Sequence, residues 1–260
     1  MASRSSTAAP IPSPADWVIL PGLTLLPADY AALAAALPGE VRILDTFEAA
    51  LTGDHAAIRA AIGPIGAETT LLGHSMGGLA ALEWLLTDPT GITRVMLLDT
   101  SLPDDPVTES LMPGRIGHRV GRGIVGLLSW PAPLARILGR AGRRQLLAMY
   151  GGLPDELDGA RIDRTFGHRS GLLSAWDQVC ERFALQRRVA ALLESTALPC
   201  SIPIVSVIGG TTPASALAAQ RAFAARLAAT VVQVPHGHLF PMREPALVAG
   251  LARSQGRTAG

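Results

Sequence analysis

The chain has 260 residues, 48% of them hydrophobic, which suffices for one sizeable core and points to a single domain, with room for an insertion. Its formal net charge is +1 and all 22 basic residues are arginine, so the excess positive charge that nucleic-acid backbone binding requires is absent. Only two cysteines occur, Cys180 and Cys200, with neither CxxC spacing nor a His/Cys cluster, so neither a disulfide framework nor a zinc site is suggested and a reducing, cytoplasmic compartment is expected.

The first residues, MASRSSTAAPIPSPADW, lack the apolar stretch of a secretory signal, and no run of about 18 apolar residues follows anywhere. Residues 1–15 are expected as a disordered tail, and neither nucleic acid nor a membrane is expected as a partner. WVILPG (17–22) predicts a strand, PADYAALAAALPG a helix ending near Pro38, VRILD (41–45) a strand and GDHAAIRAAIG (53–63) a helix. TTLLG (69–73) predicts a strand that runs into Ser75, GGLAALEWLLTD a helix stopped before Pro89, and ITRVMLLD (92–99) another strand. This alternation marks a mostly parallel, doubly wound sheet with helices on both faces.

The rhythm then breaks. From 103 to 199 the chain is rich in Arg, Gly and Leu, with several helical stretches and no clear strand. It resumes with IPIVSVIGG, the helix ASALAAQRAFAARLAA, the strand TVVQV and a last helix, REPALVAGLARS. The expected organisation is an α/β core over 16–102 and 200–253, a helical cap over 103–199 lying at the C-terminal edge of the strands, and a short disordered tail over 254–260.

Within LLGHSMGGLA (71–80) a strand, a tight turn and a helix follow one another, with Ser75 at the bend. Such a nucleophile elbow strains the serine backbone and projects its side chain, and small residues are needed on either side because larger ones would collide. In a chain with 27 glycines the G-x-S-x-G pentapeptide alone is weak, and the strand and helix around it carry the signal. A serine hydroxyl needs a base and a carboxylate to orient that base. His238 in VVQVPHGHLFPMREP is the preferred base, because Gly237 lets the loop present the ring; His236 is the alternative. Residues 202–215, after a late strand, contain no Asp or Glu, whereas Asp99 ends the strand that follows the nucleophile helix. Asp99 is therefore the expected acid; Asp104 and Asp105 remain alternatives, and Asp99 could instead cap the turn after it. The oxyanion donors expected are the backbone N–H groups of Met76 and of Leu23, in PGLTLL.

From Trp17 to Leu251, apart from the insertion, these features resemble the α/β-hydrolase superfamily. YAALAAALP, GHSMGGLAALEWL and VMLLDTSLPDD are similar to the thioesterase branch, in which the triad acid follows the strand after the nucleophile helix; that implies Asp99. GHLFPMREP looks like the general esterase and lactonase pattern. Two departures are Pro21, where many relatives have His, and the missing late carboxylate. The resemblance implies an acyl-enzyme hydrolase of a small-molecule ester or thioester, with no metal or organic cofactor. The fold also hosts acyltransferases, cyclases, lyases and ligand-binding proteins, and these stand as the alternative. Residues 113–149 hold seven arginines and no acidic side chain, an arrangement able to receive an acyl carrier protein or to be no more than a solvated helix face.

Overall fold

The structure is a computed structural model that describes residues 15–103, 115–152, 159–211 and 213–254. The expected tails, Asp104 and Asp105 lie wholly or almost wholly outside these residues. Among the described residues six strands form one sheet: β1 (Ala15–Leu20), β2 (Val41–Ile43), β3 (Ile65–His74), β4 (Ile92–Leu98), β5 (Ile204–Gly209) and β6 (Thr230–Val234). Every neighbouring pair is parallel, in the order β2-β1-β3-β4-β5-β6. Strand pairing thus grows outward from β1 to β2, then reverses and grows from β3 to β6. The reversal between β1 and β3 opens a crevice beyond their C-terminal ends, the position where open α/β sheets bind ligands.

Strand residues alternate between two buried layers because both faces of the sheet are covered. Leu71, Val95 and Leu97 pack in one layer with Ile58, Trp84 and Phe223. Leu72, Met96 and Leu98 pack in the other with Leu33, Phe240 and Val248. The covering helices are α1 (Ala31–Ala36), α2 (His55–Ile62) and α3 (Met76–Thr87), then α4 (Arg115–Leu128), α5 (Ala132–Met149), α6 (Gly159–Phe166) and α7 (Arg169–Ser195) between β4 and β5. After β5 come α8 (Ala214–Arg226), α9 (Phe240–Arg243) and α10 (Pro245–Ser254). No strand occurs among the described residues of 103–199.

The inserted helices are tied to the core at a few places. Leu185 and Val189 of α7 join the layer built around Leu71, and Arg188 bonds Glu83 of α3 at 2.6 Å. Arg143 of α5 reaches Asp29 at 2.5 Å with both side chains buried, and the other oxygen of Asp29 accepts the Leu26 N–H. Breaking that pair by removing one partner would leave a buried charge uncompensated. Among the described residues, three arginines of 113–149 thus form ion pairs within the chain: Arg143 with Asp29, Arg122 with Asp177 and Arg140 with Asp163.

Candidate active site

Ser75 stands between β3 and α3 with φ +53° and ψ −120°, outside the regions that ordinary side chains favour. A Cβ on Gly73 would meet the backbone of Gly77 and Gly78, and one on Gly77 would strike the Leu20 carbonyl. The bend therefore brings the first turn of α3 against the end of β1, and only glycine leaves room. Thr24 and Asp99 also have positive φ, +58° and +45°. Three of the four described non-glycine residues with positive φ line one cavity; the fourth, Ala228, does not. Such conformations cost on the order of 1–3 kcal/mol each and persist where the surroundings over-determine them.

The cavity has a volume of about 500 Å³ and lies between the strand ends and the inserted helices. Ser75, Asp99, His238, Leu23 and Met76 all line it. Asp99 Oδ2 meets His238 Nδ1 at 2.6 Å, and its Oδ1 accepts the Gly209 N–H at 3.0 Å. The missing carboxylate after β5 finds its physical counterpart here: the end of β5 supplies an amide to Asp99 in place of an acid of its own. Burial alone would raise the Asp99 pKa, but the hydrogen bond and charge of His238 and the Gly209 amide outweigh it and hold the carboxyl below its ordinary value. With Nδ1–H given to Asp99, Nε2 is left as the acceptor of the His238 ring. His236 lies apart, 3.9 Å from Glu244 and outside the cavity lining.

Ser75 Oγ is 3.5 Å from Ser101 Oγ and makes no hydrogen bond to the His238 ring among the described residues. Between a serine and a histidine base such a bond is often long or poorly aligned in the absence of substrate. The Gly22 N–H is given to the Tyr30 hydroxyl at 3.0 Å, so in the first loop the next amide, that of Leu23, is the one left beside the cavity. The Met76 amide opens α3, where the helix dipole favours negative charge.

A buried chain of hydrogen bonds, absent from the sequence expectations, underlies this floor. Tyr30 Oη accepts the Gly22 N–H and donates to His74 Nδ1 at 2.6 Å, and His74 Nε2–H donates to the His238 carbonyl at 2.9 Å. This network fixes the tautomer: a carbonyl only accepts, so the proton sits on Nε2. Burial, with the nearby His238 ring second, pushes the His74 pKa down to about 3, and burial pushes that of Tyr30 up. Both side chains are wholly inaccessible to solvent. The chain links the loop before α1, the residue next to Ser75, and the loop that carries His238. From above, the Tyr150 ring lies 4.5 Å from the His238 ring, and Gln178 of α7 accepts the Thr24 N–H at 3.3 Å while donating to Thr46 O.

A strained serine at the switch point of a wholly parallel sheet, facing a paired His and Asp under a helical cover, defines a class of protein. The sequence profile of the alpha/beta hydrolase family matches residues 10–251, and the chain belongs to that family. No curated protein matches the chain. Among solved structures it is similar to an alpha/beta hydrolase fold protein from Burkholderia ambifaria, with 18% identity, TM-score 0.65, and 93% of this chain and 91% of that one covered. It is also similar to a thermophilic esterase from Thermogutta terrifontis, with 21% identity, TM-score 0.56, and coverage of 93% and 89%. An epoxide hydrolase, CorEH, gives 15% identity, TM-score 0.59, and coverage of 93% and 91%. At these identities the likeness establishes the fold, and the chemistry must come from the site.

Proposed function

We propose that this hydrolase cleaves a carboxylic ester or thioester through an acyl-enzyme on Ser75. The observation that carries the reading is the 2.6 Å contact of Asp99 with His238 beside a serine held at positive φ. Ser75 Oγ attacks the acyl carbon as His238 Nε2 takes its proton, and Asp99 holds the imidazole in the required tautomer and stabilises its charged form. The Leu23 and Met76 amides receive the oxyanion. Collapse of the tetrahedral intermediate expels the alcohol or thiol, which takes the proton from His238. Water, deprotonated by the same ring, then releases the acid.

The nucleophile type also argues against epoxide opening as the reaction. A serine oxygen that opened an epoxide would be left as an alkyl ether, which has no carbonyl for water to attack, whereas an acyl-serine can be hydrolysed. The apolar lining from Leu25, Leu102, Leu146, Leu147 and Val179 suits an acyl chain, and a thioester leaving group is the finer part of the proposal. Hydrolysis of p-nitrophenyl esters and of acyl thioesters by wild type and Ser75→Ala, side by side, tests both parts. Turnover that survives in the variant refutes the nucleophile; loss on both substrate types with a wild-type preference for the thioester supports the branch.

A further inference from the structure

Helix α4 is turned inside out. The face that packs on α7 carries Gly121 against Trp176 and Gly126 against Arg169, with Val125 half-buried. The face turned away from the protein carries Ile116, Val120, Ile124 and Leu127, which are 80%, 57%, 53% and 73% exposed; Trp130, just beyond the helix, is 73% exposed. These four positions fall on one stripe of a helix with 3.6 residues per turn. A solvated helix does the reverse, and a contiguous apolar surface of this kind marks a site of contact.

What it contacts is indicated by its polar flank. Arg119, Arg122 and Arg169 surround a hollow of about 300 Å³ beside Gly123 and Leu173. Among the described residues the lining of this hollow holds three guanidinium groups and no carboxylate; Arg122 is paired beside it with Asp177, which His118 shares, and Arg169 also lies over the Trp130 ring at 5.4 Å. Guanidinium groups converging on a hollow suit a phosphate oxyanion. Between residues 116 and 139 the polar side chains are His118, Arg119, Arg122, the buried Ser129, Trp130 and Arg136, with no Asp, Glu, Asn, Gln or Thr. A protein partner would find donors there but almost no side-chain acceptor, and would have to supply the acceptor of nearly every interfacial hydrogen bond itself. A second copy, meeting patch to patch, would bring arginine against arginine. An apolar stripe with arginines along its edge and a tryptophan at its end is the pattern of a helix lying in a lipid headgroup layer.

We propose that α4 and Trp130 dock the protein on an anionic phospholipid membrane, with the hollow between Arg119, Arg122 and Arg169 taking a phosphodiester headgroup. The sequence expectation of no membrane partner rests on the lack of a spanning segment, and no helix among the described residues is long and apolar enough to cross a membrane. Lying on the surface requires none. Docking is also independent of the hydrolase reading, since vesicle binding needs no turnover.

The test is co-sedimentation of the full chain with vesicles of phosphatidylcholine alone and of phosphatidylcholine mixed in equal parts with phosphatidylglycerol. Binding to the anionic vesicles is expected to be about tenfold or more stronger and to fall with salt. Arg119→Gln and Arg169→Gln should each weaken it about fivefold, and Ile124→Asn with Leu127→Asn should weaken it at least as much as both together. Trp130 emission should shift to the blue on binding, and Trp130→Phe should remove that change. Circular dichroism and turnover of a water-soluble ester should match wild type in all variants, which separates lost docking from lost folding. Failure to bind either vesicle, or binding indifferent to headgroup charge and to the arginines, overturns the proposal. So does inorganic phosphate binding the hollow without vesicle binding, a dimer that Ile124→Asn dissolves, or an acidic protein captured by the same residues in place of vesicles.

Discussion

The floor of the cavity and the outer face of α4 are opposite ways of using side chains. On the floor, polar groups that burial would penalise are joined end to end: Gly22, Tyr30, His74 and the His238 carbonyl form one chain, and Gly209, Asp99 and the His238 ring another. On α4, apolar groups that water penalises are left uncovered. The first arrangement over-determines a geometry, as a reaction that must hold strained residues in place requires. The second leaves a surface whose free energy falls only when something else covers it. Turnover should therefore respond to the floor and not to the stripe.

The sharpest break between the regions is expected from Asp99→Asn, which keeps the shape but leaves the imidazole in the wrong tautomer: kcat should fall by about 10⁴-fold with the fold intact. A rate near wild type would move the role of acid elsewhere. Tyr30→Phe comes next. It strips Gly22 of its acceptor and His74 of its donor, so stability to urea should drop by about 1–3 kcal/mol and kcat should fall more than KM rises. A variant that loses stability but keeps kcat would reduce the buried chain to a structural tie.

Acid should expose the same chain. His74 titrates at about 3 in the folded protein against 6.5 for an ordinary histidine, so between those values the unfolded state binds the extra proton. Its contribution to stability is therefore complete above pH 6.5 and is lost as pH falls towards 3, by on the order of 5 kcal/mol in all. The depressed Asp99 acts in the same direction as pH falls through its own lowered value. Denaturant midpoints measured across this window should decline with acid in wild type and decline less in His74→Asn. The smallest effect is expected from Tyr150→Ala, which removes a ring from beside His238 without touching its hydrogen bonds: a change of a few-fold in kcat/KM, set against none for Ile124→Asn.

The floor was partly legible in the sequence. The strand-turn-helix context of Ser75, and Asp99 at the end of the next strand, are local patterns, and the absent carboxylate in 202–215 could be read directly. Tyr30 and His74 were not singled out, because 44 residues separate them and each sits in a segment with another reading: one in an alanine-rich helix, the other as the variable residue before the nucleophile. Arg143 read as part of a basic face, and only the fold brings Asp29 to it. For α4, periodicity gives the apolar stripe but not its direction; that the glycines face inward follows from the bulk of Trp176, 55 residues beyond Gly121.

The central claim is a covalent one and is tested most directly by treating the protein with a fluorophosphonate and locating the adduct by peptide mass mapping. A single adduct on Ser75, absent from Ser75→Ala, is the predicted result. An adduct on another side chain, or an unlabelled but folded wild-type protein, would contradict the account.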